Sequence, residues 1–76
     1  MKEIINNHIR EYRLKSGLSV SQLAFCVGCS RQAIRLFEVG ACNPSLRMAK
    51  ILCDFFGCGF RDLFDFDQSF LSGPDD

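Results

Sequence analysis

The segment that most constrains this chain is residues 20–39, where two short apolar-patterned stretches are separated only by Gly28, Cys29 and Ser30. Glycine can end a helix in the left-handed conformation, and serine can cap the next helix through its hydroxyl. Two helices joined so tightly must turn sharply and pack against each other. The apolar residues placed to fill the angle between them are Leu23, Ala24, Val27, Ile34 and Phe37. We therefore predict two crossed helices with their polar faces outward.

Three further helices are predicted from the same capping and periodicity signals. The first covers residues 6–16, with Asn6 or Asn7 as its cap and Ile9 and Leu14 as core candidates. The fourth follows the cap Ser45 and ends near residue 56, and a short fifth turn covers residues 60–64. The predicted class is all-α, a compact bundle of five helices.

The chain of 76 residues is long enough for one core only, because burial is marginal at this size. We predict one domain over residues 1–64 and a short acidic C-terminal tail over residues 65–76, in which the alternation at 65–67 suggests a brief strand. No apolar run approaches the roughly 18 residues of a membrane span, and the start does not lead into a signal-type apolar stretch. A cytoplasmic protein is expected.

The charge is unevenly distributed along the chain, although the formal net charge is zero. Residues 1–50 hold eight basic side chains against three acidic ones, whereas residues 51–76 hold one basic side chain against six acidic ones. A local positive field is what attracts phosphates, and a zero net charge can conceal it. The composition therefore permits nucleic acid as a ligand.

One set of positions forms a family pattern: Leu18-Ser19, Leu23-Ala24, Val27-Gly28, Ser30-Arg31-Gln32, Ile34, Glu38, Gly40 and Asn43-Pro44-Ser45. Over residues 6–64 this pattern resembles the Cro/repressor-type (XRE-like, Cro/C1-type) helix-turn-helix family of bacteria and phages. The resemblance implies a lambda-repressor-like fold of five helices, a cytosolic location, double-stranded DNA as the ligand and frequent homodimers.

The resemblance also assigns roles to residues of the third helix. Arg31, Gln32 and Arg35 stand where the family reads base edges, and arginine and glutamine suit guanine and adenine respectively. Leu36 could meet a thymine methyl group, and Ser30 is expected at a phosphate. The complete predicted DNA-binding set is Arg31, Gln32, Arg35, Ser30, Leu36, Asn43, Gln22, Arg10 and Arg13. We expect a sequence-specific transcriptional regulator, specifically a repressor, that reads the major groove with the helix over residues 31–39.

The chain departs from the family at Val20, where a glutamine that touches phosphate is usual, so one phosphate anchor is expected to be missing. It also places apolar residues where the family is polar, which predicts an interaction surface for a homodimer or another protein. The predicted interaction patch consists of Phe25, Val39, Ile51 and Phe66. The alternative function is therefore a protein-interaction module, antitoxin-like or anti-repressor-like, with weak or secondary DNA binding.

Five cysteines raise the question of a metal site, since Cys26-x2-Cys29 and Cys53-x4-Cys58 are spaced like the halves of a tetrathiolate zinc site. We interpret Cys29, Cys53 and Cys58 instead as small core residues, because free cysteine behaves as a small hydrophobe and the family has small core residues there. No metal or cofactor is predicted.

Catalysis is not expected either. The single His8 has no patterned nucleophile near it, and Glu38 is interpreted as structural, paired with Arg31, Arg35 or a backbone group. A chain of this length rarely supplies an active-site pocket, so neither enzyme activity nor a small-molecule substrate is predicted.

Overall fold

A computed structural model describes residues 4–66 of the chain, with side chains described for residues 6–65. The elements in chain order are β1 (Ile4–Asn7), α1 (Ile9–Lys15), α2 (Val20–Val27), α3 (Arg31–Val39), α4 (Leu46–Phe56), α5 (Phe60–Leu63) and β2 (Phe64–Phe66). The predicted all-α class with five helices is confirmed, and a two-stranded sheet is added to it.

Three helices begin at the predicted serine caps. Ser30 Oγ accepts the backbone N–H of Ala33 at 3.0 Å, and Ser45 caps α4 in the same way. At α2 the capping is reciprocal, because Ser19 Oγ accepts from Gln22 N–H at 3.0 Å while Gln22 Oε1 accepts from Ser19 N–H at 2.8 Å. Such local hydrogen bonds satisfy backbone donors that a helix leaves unpaired, which explains why the starts of these helices are readable in the sequence.

Gly28 makes the sharp turn between α2 and α3. Its φ of 80° lies in the left-handed region, which a residue with a Cβ adopts only at a steric cost. Its N–H and that of Cys29 both donate to the Ala24 carbonyl, at 2.9 and 3.0 Å, so the end of α2 is closed before α3 starts. The predicted turn is therefore present as expected.

The core lies between α2, α3, α4 and the chain around α5. Its six largest fully buried side chains are Ile9, Leu23, Ile34, Leu52, Leu63 and Phe64. Leu14, predicted as a core residue, is 55% exposed. The reason is the helical period: Leu14 is five residues after Ile9, which turns it about 140° away from the core-facing side of α1.

The sheet pairs the two ends of the described chain. β1 and β2 are antiparallel, with Asn7 opposite Phe64 and a bulge between Ile4 and Asn6. Since Asn6 and Asn7 lie in β1, α1 starts at Ile9 and not at residue 6 as predicted. The brief strand predicted over residues 65–67 lies one residue earlier, at Phe64–Phe66, and extends the folded unit to Phe66. Residues 67–76 of the predicted acidic tail lie outside the described residues.

Two polar side chains fasten this sheet to the helices. Asn7 Nδ2 donates to the Phe37 carbonyl at 2.8 Å, and Asn7 Oδ1 accepts from Ile9 N–H at 3.1 Å. His8 follows, with Nδ1 at 2.6 Å from Glu11 Oε1 and Nε2 at 3.1 Å from Asp65 Oδ2. The hydrogen bond with Glu11 raises the pKa of His8, partial burial opposes the rise, and Asp65 adds to it. The protonated imidazole therefore bridges α1 and β2.

This bridge predicts a pH-dependent stability. Because the folded pKa of His8 is raised above its ordinary value of 6.5, the stabilisation is fully present below about pH 6.5 and is lost as the pH rises through the folded pKa. We expect the melting temperature to fall as the pH rises from about 6.5 through the folded pKa of His8, because the imidazole loses its charge there. His8→Gln should flatten this slope in thermal unfolding followed by circular dichroism. A variant that retains the full slope would assign it to other groups.

Candidate nucleic-acid interface

The outward surface of α3 consists of five exposed residues. At about 100° per residue they occupy one arc of roughly 140°, while Ile34 and Phe37 face the core from the opposite side. The exposed residues are Arg31, Gln32, Arg35, Leu36 and Val39. We call this arc the outer face of α3.

The three polar side chains of the outer face are uncommitted. Within residues 6–65, Arg31, Gln32 and Arg35 make no hydrogen bond or ion pair with another side chain or with the backbone. Their donors therefore point to solvent, on a rigid helix whose opposite side is buried. Arginine and glutamine in this position can form two hydrogen bonds each to a base edge.

The N-terminus of α3 adds anion-binding groups beside that face. The first N–H groups of a helix have no intrahelical partner, and the helix dipole favours negative charge there. The Ser30 hydroxyl oxygen accepts the capping hydrogen bond through one lone pair, so the hydroxyl hydrogen remains free to donate to a phosphate. Ser30, Gln22, Asn43 and Arg10 are all exposed, which is the placement that their predicted phosphate contacts require.

Gln22 and Val20 show what the start of α2 can offer. The carboxamide oxygen of Gln22 accepts from Ser19, so only its NH₂ group is left for a ligand. Val20 is half-buried and packs against the core. Its side chain has no polar group to offer a phosphate in place of the glutamine usual in the family, so the missing anchor stays a prediction.

Arg13 corrects one member of the predicted set. Its guanidinium is buried, with Nε at 2.7 Å from Glu38 Oε2, Nη2 at 3.1 Å from Glu38 Oε1, and Nη1 at 3.0 Å from the Leu18 carbonyl. All three nitrogens are engaged, so the predicted contact of Arg13 with the DNA backbone is wrong. Glu38 is structural, as predicted, but its partner is Arg13 and not Arg31 or Arg35.

A sequence signal for this pair was available. Arg13 is four residues after Ile9, so both lie on the same side of α1, which faces the core. A charged residue at a core-facing position requires a buried partner. The hydrogen bond and the charge of Glu38 raise the pKa of Arg13 against the opposing effect of burial, so Arg13 keeps its charge.

Breaking this ion pair should strongly destabilise the fold. Arg13→Met leaves the Glu38 carboxylate buried without a partner, and a loss of about 3–5 kcal/mol in the free energy of unfolding is expected. Glu38→Leu should cost a similar amount. The double variant should lose clearly less than the sum, because no charge is orphaned. Urea denaturation measures all three, and single variants that lose less than about 1 kcal/mol would contradict the assignment.

The predicted interaction patch is only partly an exposed surface. Phe25 is 89% and Val39 is 75% exposed, as predicted. Ile51 is half-buried and packs against the core, so only part of its side chain faces outward and its place in the patch stays a prediction. The side chain of Phe66 lies outside the described residues.

Other exposed apolar side chains were missed by the sequence analysis. They are Leu14, Leu46, Phe55 and Phe60. Phe25 forms one wall of a shallow apolar groove along α2, with Leu18, Ser21, Gln22 and Cys26. This groove is set by the α1–α2 turn as well as by α2, so a single helical period does not show it.

The cysteines are all free thiols. Cys53 is buried, and that burial, together with nearby Cys58, raises its pKa to about 11, while burial alone raises the pKa of Cys29. A thiol with so high a pKa stays protonated near neutral pH. Among the residues that the structure describes, no three His, Cys, Asp or Glu side chains are grouped to hold a metal ion.

None of the described helices has the length and apolar character to cross a membrane; α4, the longest, has 11 residues.

A short helix crossed against a second helix, with an uncommitted polar outer face, defines the helix-turn-helix class. The chain belongs to this family, in its Cro/repressor-type branch: the model of the family, described as helix-turn-helix, matches residues 9–63. That span runs from the start of α1 to the end of α5. The family assignment accounts for the crossed helices. It also identifies the chain as a non-enzymatic protein.

Relatives in archaea and bacteria extend over nearly the whole chain. An uncharacterized HTH-type transcriptional regulator of Archaeoglobus fulgidus is 41% identical over 69 residues, which cover 91% of this chain and 99% of the relative. One from Methanocaldococcus jannaschii is 35% identical over 64 residues, covering 84% and 97% respectively. One from Bacillus subtilis is 33% identical over 60 residues, covering 79% and 91%.

Proposed function

We propose that this protein is a sequence-specific, double-stranded DNA-binding transcriptional regulator that reads the major groove with α3. The observation that carries the proposal is the outer face of α3, where Arg31, Gln32 and Arg35 are exposed and uncommitted. The family and the names of the relatives support the same function. The major groove, about 12 Å wide, admits one α-helix.

The contacts divide into base readout and phosphate positioning. Arg31 and Arg35 pair with guanine O6 and N7, and Gln32 pairs with adenine N6 and N7. Phosphates are held by the predicted flanking donors, which fix the register of the domain without reading sequence. The phosphate-contacting residues are Ser30, Asn43, Gln22 and Arg10. Arg13 has no direct part, but it holds α1 against α3 through Glu38.

The protein acts as a homodimer in the cytoplasm and represses by occupying its operator. Two copies place two α3 helices in successive major grooves, which lie about 34 Å apart. The exposed apolar side chains of the domain supply surface for self-association. The operator is then a palindrome with half-sites one turn of DNA apart.

The test of base readout is Arg35→Ala, matched by Arg61→Ala. Arg61 is an exposed arginine of α5, so the control removes the same charge away from α3. With an operator selected from random duplexes, Arg35→Ala should lose about 1–3 kcal/mol of specific affinity, and Arg31→Ala a similar amount. Arg61→Ala should change the affinity about twofold or less, since screened charges at a distance contribute little. Fluorescence anisotropy at two salt concentrations measures each.

Losses below about 1 kcal/mol in both α3 variants would reject direct readout by this helix. An equal loss in the control would assign the effect to net charge alone. Wild-type binding that does not weaken as salt rises would contradict phosphate contacts altogether.

A second candidate function, a protein-interaction module, is favoured by Phe25, because an aromatic side chain 89% exposed on α2 is an unusual surface residue. Its surface is the apolar groove along α2. In this reading DNA affinity is weak, and the partner covers Phe25.

Phe25→Glu separates the two uses of this surface. If the groove is the homodimer contact, the variant should be monomeric at concentrations at which the wild type is dimeric, because a buried unpaired charge opposes association. Leu46→Glu makes the same kind of change at an exposed leucine of α4 outside the groove. Sedimentation equilibrium gives the masses. An unchanged mass in Phe25→Glu would remove the groove from the dimer contact and leave it to another protein.

A further inference from the structure

Cys53 and Cys58 lie on either side of the turn that ends α4. Gly57, with a φ of 68°, reverses the chain there, and the Cys58 N–H donates to the Cys53 carbonyl at 3.1 Å. Standard bond lengths at the two ends of this hydrogen bond limit the distance between the two Cα atoms to about 7 Å. Disulfides join Cα atoms about 4.4–6.8 Å apart, so the backbone already holds these residues within reach of each other.

The two thiols also lie at the same part of the core. Cys53 is 7% exposed, and Cys58 is half-buried and packs against the core cluster that contains Cys53. Cys53 Sγ is 3.8 Å from the carbonyl oxygen of Gly59, the residue after Cys58. Burial raises the pKa of Cys53, and the charge of Cys58 and a hydrogen bond with it raise that pKa further. The two side chains are therefore neighbours.

Cys26 and Cys29 are closer in sequence but are not brought together in this way. Cys26 is exposed in the groove along α2, whereas Cys29 is half-buried and packs against the core. Burial alone raises the pKa of Cys29, without a contribution from Cys26. A short spacing in the sequence therefore does not by itself pair two thiols here, and the turn at Gly57 is what does so for Cys53 and Cys58.

We propose that Cys53 and Cys58 are a site of reversible oxidation, at which a small disulfide such as glutathione disulfide converts the two thiols into one intrachain disulfide. The more accessible Cys58 reacts first: its sulfur displaces one glutathione and forms a mixed disulfide. The sulfur of Cys53 then attacks the Cys58 sulfur and releases the second glutathione. Two electrons pass from the protein pair to glutathione disulfide, and the two thiol protons end on the two glutathione molecules released.

The environment of Cys53 favours a stable product over a fast reaction. Its thiol stays protonated near neutral pH, so the reduced pair gains no stability from a thiolate at this position. The disulfide closes a short loop between the last turn of α4 and the turn before α5. Because this site is not part of the outer face of α3, the proposal does not depend on the proposed function.

The test is the thiol–disulfide equilibrium of the whole chain. Reduced protein is equilibrated without oxygen in mixtures of reduced and oxidised glutathione, free thiols are alkylated after an acid quench, and mass spectrometry of peptides locates the disulfide. The main product should join Cys53 to Cys58, also in the variant Cys26→Ser/Cys42→Ser, which lacks the two exposed thiols. Its equilibrium constant should be roughly tenfold or more above that measured in urea that unfolds the chain, because the fold holds the thiols together.

Thermal unfolding gives a second readout. By linkage, the factor by which the fold favours the disulfide is the factor by which the disulfide favours the fold. In the Cys26→Ser/Cys42→Ser background, the oxidised protein should therefore melt about 5–10 °C above the reduced protein. Adding Cys58→Ala should abolish this difference, because Cys53 has then lost its partner.

Three results would overturn the proposal. The first is a folded protein whose Cys53 and Cys58 stay thiols, or carry separate glutathiones, in the most oxidising mixture. The second is a main product that joins Cys26 to Cys29. The third is a Cys53–Cys58 disulfide that is no more favourable in the folded chain than in urea. Circular dichroism confirms that each variant is folded, and Cys58→Val, which keeps the apolar volume, replaces Cys58→Ala if the latter is not.

Discussion

The ion pair between Arg13 and Glu38 joins α1 to the last part of α3, beneath the outer face. Arg13 also donates to the Leu18 carbonyl in the turn before α2. The Arg13 guanidinium thus links α1, the turn before α2, and α3. The angles between these three parts of the chain set the direction of α3. Because a buried charge without a partner is costly, the fold with this pair formed is strongly preferred over arrangements that break it. The pair therefore contributes to specifying a single orientation of α3, which is the geometric requirement for reading a groove.

The sheet holds the same end of α3 through a second contact. Asn7, in β1, donates to the Phe37 carbonyl, and His8 bridges Glu11 and Asp65. These contacts connect the start of α1, the end of α3 and β2. The end of α3 is therefore held from two sides, by the ion pair and by the asparagine, while its N-terminus is held by the turn at Gly28. A helix fixed at both ends can present side chains to a ligand without paying for its own ordering on binding.

The fold separates the basic and acidic side chains of the chain in space. Arg31 and Arg35 project from the outer face of α3, whereas Asp62 and Asp65 are exposed on α5 and β2. A neutral net charge therefore coexists with a cationic outer face of α3.

The sequence by itself determined α2, α3 and α4, because their caps are local: Ser19, Ser30 and Ser45 bond to N–H groups three residues away, and a glycine follows each helix. It also determined that Arg31, Gln32 and Arg35 are exposed, since their positions follow from the period of α3. Only the tertiary structure decided the partner of Arg13, which is 25 residues distant, and the pairing of β1 with β2, which joins residues about 60 apart. It also decided that Ile51 is half-buried. These features depend on which helix faces lie against one another, and this is set by long-range packing that no local pattern encodes.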